Sequence, residues 1–524
     1  MPDYVIVGAG SAGCVLANRL SEDPSVSVLL IEAGGSDRSP KVKIPAAFPQ
    51  QFHTKLDWDY ATEPEPHVDG RSLYIPRGKM LGGSSSMNAM LYVRGRPLDY
   101  DGWEAQGAPG WSYQDVLPYF KRSEDNARGA SEFHGAGGPM RVSEQRSPRP
   151  LSKRLLAASE AAGIPRIADY NGPEQDGASM FQVTQRNGAR LSAADAYLRP
   201  ARSRPNLEVR TGASVLGVEL EGNRAVGVRI GRRRGGVELV RAEREVLLSA
   251  GAIGSPQLLL LSGIGPGQEL REAGVAARID LPGVGRNLQD HPFLTVLWEV
   301  SETNTLFGAD KPKPMAEWFL RRSGPLTSTV AEVCAFTRTR GGLPAADIQF
   351  HMGAAYFDDH GAEEYDGHCM VIAPVLVSPR ARGQVWLRSA DPAAKPRIIT
   401  NTLSAPEDLE SLLAGIALAR EIAAQDPLRE LVVKEIKPGP GARDREAVEA
   451  DLRRRLMLIY HPVGTAKMSD TAPDAVVDSR LRVHGTDGLR VVDASVMPTI
   501  VGGNTNAPTI MIAERASDLI RAEA

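Results

Sequence analysis

The chain is short of cysteine, of long apolar runs and of any excess of one charge, and each shortage narrows the functions open to it. Three cysteines in 524 residues, Cys14, Cys334 and Cys369, form no C-x-x-C pair and no metal-ligand spacing. They are expected to be free thiols of a reducing compartment, and no metal site is expected. No apolar stretch reaches the roughly 20 residues that span a bilayer, so the protein is expected to be peripheral to a membrane at most. Net charge is −3, from 61 Lys and Arg against 64 Asp and Glu. A chain so balanced offers nucleic acid no basic face. The first strand begins at once, which leaves no stretch for a signal peptide, and a cytoplasmic location is expected.

Glycine (52) and proline (38), by contrast, are plentiful, as suits a loop-rich chain whose backbone approaches a ligand closely. The opening stretch shows where. Asp3-Tyr4-Val5-Ile6-Val7 reads as a buried parallel strand and runs into Gly8-Ala9-Gly10-Ser11-Ala12-Gly13, a complete G-x-G-x-x-G. A helical pattern follows with Val15, Leu16 and Leu20 on one face, then a second strand, 26–31, ending at Glu32. Gly8 permits the tight turn, Gly10 lets backbone approach a pyrophosphate, and Gly13 lets helix pack against strand. The helix N-terminus offers N–H groups to phosphate. Glu32, 19 residues past Gly13, is placed to accept from ribose hydroxyls. The motif predicts a dinucleotide site and does not by itself separate NAD from FAD.

Further on, Arg77-Gly78-Lys79-Met80-Leu81-Gly82-Gly83-Ser84-Ser85-Ser86-Met87-Asn88-Ala89-Met90 clusters small residues where backbone must wrap a ligand, with a helix expected to start near Met87. This stretch resembles the first signature of the glucose–methanol–choline (GMC) oxidoreductases, FAD enzymes that act on alcohols. Residues 244–265, a strand, a glycine turn and a helix punctuated by Pro256 and Gly263, resemble the second signature. Residues 282–292 continue the likeness, which extends over nearly the whole chain. The resemblance, and not the spacing, makes the dinucleotide FAD. Met87 stands where some members carry a flavin-linked histidine, so non-covalent FAD is expected.

The resemblance implies an α/β fold: a Rossmann-like FAD-binding domain plus an α+β substrate domain whose antiparallel sheet roofs the flavin. Residues 1–35, 71–150, 205–292 and 456–524 are assigned to the FAD-binding domain, 151–204 and 293–455 to the substrate domain, and 36–70 to a lid or excursion. Implied FAD contacts are Gly8, Gly10, Ser11, Ala12, Gly13, Glu32 and Ala33, then Leu81, Gly83, Ser84, Asn88, Ala89, Met90 and Leu91. Val215 is implied at the adenine; Asp493, Ala494, Asn504, Thr505 and Asn506 are implied at the flavin. Helices are predicted over 151–163 and over 407–424, the latter opened by a capping box, Ser404 with Glu407. Arg232-Arg233-Arg234 reads as a solvated hairpin tip. His134 and His291 are expected to be structural.

Chemistry is expected from two late clusters, around His461 and around Asn504. Removing a hydride from an alcohol carbon is easier as the hydroxyl proton leaves. Histidine titrates near neutrality and can take that proton. A second donor stabilises the developing alkoxide. Family members pair His with His or with Asn at this place, and His461 and Asn504 match the His–Asn version. Lys467 lies nearby with no role assigned. Glu332 and His351 are candidate substrate contacts, and Trp58 and Tyr60 candidate entry residues. The expected partners are a small alcohol and an electron acceptor, O₂ or a quinone or other carrier, with dehydrogenase preferred to oxidase. Two alternatives remain: a fatty-acid photodecarboxylase-like flavoenzyme, whose required Cys and Arg align with Ala331 and His351, and a non-catalytic flavin-binding scaffold.

Overall fold

The computed structural model describes residues 1–231 and 235–523; the 232–234 arginine run lies outside the described residues. Its first layer is a five-stranded parallel sheet. Tyr4–Val7 pairs on one side with Val28–Glu32 and on the other with Glu245–Leu248; Leu207–Thr211 and Leu489–Val491 complete the two edges. The three central strands are buried along nearly their whole length, as β-branched runs covered on both faces must be. The helix Ser11–Leu20 returns over this sheet and packs on the last helix, Asn506–Arg521.

One buried carboxylate ties the two ends of the chain together. Glu514 accepts from Arg19 Nη2 at 2.8 Å and Nε at 2.9 Å, from Arg122 Nε at 2.7 Å and from the Tyr197 hydroxyl at 2.8 Å. Every partner is itself held, so the charge is fully satisfied where water does not reach.

The second layer is an antiparallel sheet whose main path runs Val432–Lys437, Val296–Val300, Cys369–Leu376, Ile348–Gly353, Val333–Thr337, Gly177–Met180. Strand alternation sorts its two faces. Ile348, Phe350, Met352, Met370 and Ile372 pack on the backing helices Pro150–Ala161 and Pro406–Ala423. His351, Val371 and Ala373 point the other way, into the central cavity. Both helices lie within a residue or two of the spans predicted for them. The second opens differently, however: the helix starts one residue later than the box requires, with Ala405 as its N-cap, Pro406 in its first turn and no side chain capping it.

Other expectations also shift. No α-helix starts at Met87. The chain makes a short 3₁₀ turn, Gly83–Ser86, because Gly82 and Gly83 take positive φ and fold it back against the first glycine turn. Within residues 36–70, expected to form a lid or excursion, Val42, Phe48 and Phe52 are buried beside Met80 and Met87. Pro256 sits inside the helix Gly251–Leu261 instead of near its start. It cannot bond the Ala252 carbonyl four residues back, and the Thr465 hydroxyl takes that carbonyl at 2.6 Å. The three cysteines are buried and free. No helix among the described residues is long and apolar enough to cross a membrane.

Replacing Glu514 by alanine leaves two arginines half-buried without their shared acceptor. A loss of roughly 3 kcal/mol is expected by denaturant unfolding, the lower end for breaking a buried pair because both arginines keep some solvent. A loss under about 0.5 kcal/mol, the range of ordinary surface changes, would contradict the role given to this carboxylate.

Candidate active site

A cavity of about 600 Å³ runs between the two layers, from the glycine turn to the floor of the antiparallel sheet. Gly8, Gly10, Ser11 and Ala12 line one end with Glu32 and Ala33. The helix that begins there has Gly10 as its N-cap and no capping side chain, which leaves its N–H groups facing the cavity. A second helix N-terminus joins it: Asn506 Oδ1 accepts from Ser11 Oγ at 2.8 Å, so the first and last helices open side by side. Two positive dipole ends at one wall suit a diphosphate.

Glu32 shares that end. Its carboxylate accepts from Ala9 N at 2.9 Å and Gly34 N at 2.7 Å, and burial pushes its pKa up to about 7. Gly83, Ser84, Asn88, Ala89, Met90 and Leu91 line the middle, and Val215 lines the wall opposite. From the C-terminal segment come Asp493, Ala494, Asn504, Thr505 and Asn506. The Asp493 carboxylate caps the helix Gly251–Leu261, accepting from Gly251 N at 2.8 Å.

Three expected contacts stand off the cavity. Leu81 is buried in the core around the parallel sheet. Gly13 is one turn too deep; a Cβ there would lie 1.9 Å from the Gly8 carbonyl oxygen, so it serves the helix–strand contact. Glu332 is spent elsewhere: it accepts from Ser152 Oγ and Arg149 N, both at 2.7 Å, and from Ser328 Oγ at 2.6 Å. His351, by contrast, lines the cavity, as do Ala331, Trp58 and Tyr60. Lys467 pairs with Asp474 at 2.5 Å and does not reach it.

At the far end His461 and Asn504 meet, 43 residues apart in the chain, with Asn504 Nδ2 3.2 Å from His461 Nε2. Gln349, on the antiparallel sheet, donates to Asn504 Oδ1 at 3.3 Å. That fixes the amide: its oxygen is taken, so its nitrogen donates and His461 Nε2 accepts. The other ring nitrogen, Nδ1, lies 3.1 Å from Nδ1 of His291, with the rings at 88°. His291 Nε2 lies toward the Val501 and Val377 carbonyls, outside hydrogen-bonding geometry. With Nε2 accepting from Asn504, neutral His461 carries its proton on Nδ1 and donates to His291 Nδ1, which leaves the His291 proton on Nε2 without a bonded partner. His291 therefore touches the site it was expected only to flank.

Burial and the neighbouring His291, His351 and Arg77 hold the His461 pKa well below its usual value. Asp290 Oδ1 accepts from the His461 and His291 N–H groups, each at 2.8 Å; burial lifts its pKa to about 7. Tyr460 takes positive φ, and Arg77 Nη2 bonds its carbonyl. Arg77, Tyr460 and the 392–396 loop line the cavity, and none was singled out for it from sequence. The first two open stretches already singled out, before the glycine–serine run and before His461, and the loop carries no motif at all.

Family comparison matches the GMC oxidoreductase N-terminal domain to residues 2–293 and the C-terminal domain to 379–513. The chain belongs to the GMC oxidoreductase family. It is 47% identical to an uncharacterized GMC-type oxidoreductase of Mycobacterium tuberculosis, over 99% of each chain. An oxygen-dependent choline dehydrogenase of Photobacterium profundum is 44% identical, over 99% of this chain and 92% of that one. An alcohol dehydrogenase [acceptor] of Pseudomonas putida is 42% identical, over 99% and 96%. Among solved structures, pyridoxine 4-oxidase from Mesorbium loti superposes with TM-score 0.90 at 33% identity, covering 100% of this chain and 99% of that one. The GMC chain is thus an oxidoreductase with a flavoprotein fold.

The glycines separate fold from ligand. A Cβ at Gly10 would meet only the Ser249 carbonyl, at 3.8 Å, and would otherwise project into open space. Gly10→Ala is expected to fold with near-normal stability and to retain little flavin, read from the flavin-to-protein absorbance ratio. Gly13→Ala is expected to lose about 1–3 kcal/mol or more in the flavin-free protein, from overpacking against backbone. Equal flavin loss in both at unchanged stability would contradict this division.

Proposed function

We propose that this chain is an FAD-dependent alcohol oxidoreductase in which His461 is the base and Asn504 the hydrogen-bond partner of the substrate oxygen. The observation that carries the reading is the convergence of His461 Nε2 and Asn504 Nδ2 at 3.2 Å on the wall of the cavity that begins at the glycine turn. FAD, when bound, supplies the hydride acceptor. The residues that would hold it are those of the glycine turn, Glu32, the 83–91 segment, Val215 and the N-terminus of the last helix. Met87 lines the cavity and offers no nucleophile for a flavin link, which favours non-covalent FAD.

The rest is the work of this chain's own groups. Burial keeps His461 uncharged, so its Nε2 lone pair is available at neutral pH. The hydroxyl of an alcohol that displaces Asn504 from Nε2 donates to that lone pair, while the Asn504 amide turns its N–H to the same oxygen. As the proton moves to Nε2, the imidazole gains charge and its Nδ1–H strengthens its bond to His291. The walls exclude water, which sharpens both interactions.

Dehydrogenase is preferred to oxidase on the printed name of the Pseudomonas putida alcohol dehydrogenase [acceptor], although the oxygen-dependent choline dehydrogenase and pyridoxine 4-oxidase bear names that point to O₂; anaerobically reduced enzyme that reoxidises rapidly in O₂ would reverse the preference. The photodecarboxylase alternative gains nothing, since none of the three cysteines lines the cavity. A scaffold without chemistry gives no reason for the His461–Asn504 pair.

His461→Ala is expected to keep its FAD and to lose roughly 10²–10⁴-fold in the rate at which alcohol bleaches the flavin anaerobically. Unchanged bleaching would remove the base assignment. Because the His461 pKa lies well below 6.5, its reactive neutral form is already fully populated at pH 6.5 and above. No acid limb from His461 is therefore expected between about pH 6.5 and 8. A step near 7 belongs to one of the two buried carboxyls raised to about 7, Asp290 or Glu32, and is expected to vanish when the one responsible is replaced by its amide. A limb in that window that survives both Asp290→Asn and Glu32→Gln would contradict the depressed imidazole. Acid precipitation is expected to leave the flavin in the supernatant.

A further inference from the structure

The charges along the cavity are divided by position. Its lining includes two carboxylates among the described residues, Glu32 and Asp493. Each already accepts backbone N–H bonds, Glu32 at the glycine turn and Asp493 at the N-terminus of the helix Gly251–Leu261. Beside Ile459 and Tyr460, the two residues before His461, the lining is instead Phe48, Phe52, Phe357, Val330 and Val371, with Ala331 next to Val330.

Four acids stand behind this wall, and each is spent on protein donors; Asp57 accepts from the Arg77 and Asp59 N–H groups, each at 2.9 Å, and from the Tyr74 hydroxyl. Glu332 serves Ser152, Ser328 and Arg149. Asp358 pairs with Lys437 at 2.6 Å and Arg455 at 3.3 Å. Asp290 serves the His291 and His461 N–H groups, and its second oxygen is sealed in protein. Apart from Glu32 and Asp493, the charge that reaches the lining is positive: Arg77, Lys395, which pairs with Asp59, and Lys79 with its ammonium 4.4 Å from the Trp58 ring.

Aromatic rings can bind a cation, so their packing matters. Here Phe48 meets Phe52 at 73° and Phe52 meets Tyr460 at 69°, edge against face. Their π faces are partly covered by one another. A cation–π contact is worth about 0.5–2 kcal/mol, whereas taking a cation out of water without a counter-charge costs several kcal/mol. Arg77 adds repulsion to that cost.

We propose that the alcohol taken at this site is uncharged, with an apolar body, and that quaternary-ammonium alcohols are disfavoured. This rests on the reading of His461 as the base. It sets the chain apart from what the printed names of its choline dehydrogenase relatives would suggest.

A pair of isosteres tests it. 3,3-Dimethylbutan-1-ol is choline with carbon in place of the charged nitrogen: same shape, no charge. With the FAD-loaded enzyme under anaerobic conditions, the neutral alcohol is expected to bleach the flavin with a second-order rate constant at least roughly 10-fold above that of choline. Ala331→Glu, which puts a carboxylate into the wall, is expected to move the ratio toward choline by a similar factor. Choline reacting as fast as its isostere, or faster, would overturn the proposal. Calorimetric titration of FAD-loaded His461→Ala with both ligands separates the two claims. Tighter binding of the neutral ligand supports the pocket reading whatever the turnover; equal or tighter binding of choline overturns it. Retained turnover in that variant overturns only the base.

Discussion

The site depends on one constraint: an imidazole held uncharged inside the protein with both nitrogens assigned. His461 is buried, so its charged form is penalised. Its Nδ1 is engaged by His291 and its Nε2 faces Asn504. A free surface histidine would divide its proton between two nitrogens and titrate near neutrality. This one presents a single lone pair, toward the cavity, across the physiological range. Asp290 reinforces the arrangement by accepting from the backbone of both histidines, so the two rings are set by one carboxylate.

Both layers are needed to hold that imidazole in place. The parallel sheet presents the glycine turn and two helix N-termini at one end of the cavity. The antiparallel sheet, through its two-residue period, turns Gln349 and His351 inward while Phe350 and Met352 anchor on the backing helices. Gln349 then orients Asn504, and Asn504 orients His461. Farther along, Pro256 withholds a hydrogen bond from its own helix and so leaves a carbonyl for Thr465, four residues past His461. Glu514 closes the frame by bonding the first helix to the last.

Much of this was legible in the sequence, because local rules and the family likeness pointed the same way. The opening strand–turn–helix carries a physical reason for each glycine, and His461 and Asn504 stand in stretches that match the family motif. What sequence misplaced depends on tertiary partners. Glu332 reads as a lining residue by position, yet Ser152, from a helix 180 residues earlier, captures its carboxylate. Ser404 and Glu407 spell a capping box, but the helix starts one residue later, with a proline in its first turn. Leu81 sits in the right motif and faces the core. His291 was read as structural because nothing local reveals a ring 170 residues away. The apolar, carboxylate-free wall beside Ile459 and Tyr460 was likewise invisible, since it is made of single residues from many segments.

The most direct test is a crystal structure of the FAD-loaded protein. His461 Nε2 and Asn504 Nδ2 are expected to face flavin N5 across a gap that admits one alcohol carbon, with reacting atoms about 3–3.5 Å apart once substrate is bound. A flavin ring lodged elsewhere in the cavity, or an imidazole rotated so that Nδ1 and not Nε2 faces it, would contradict the arrangement from which the chemistry follows.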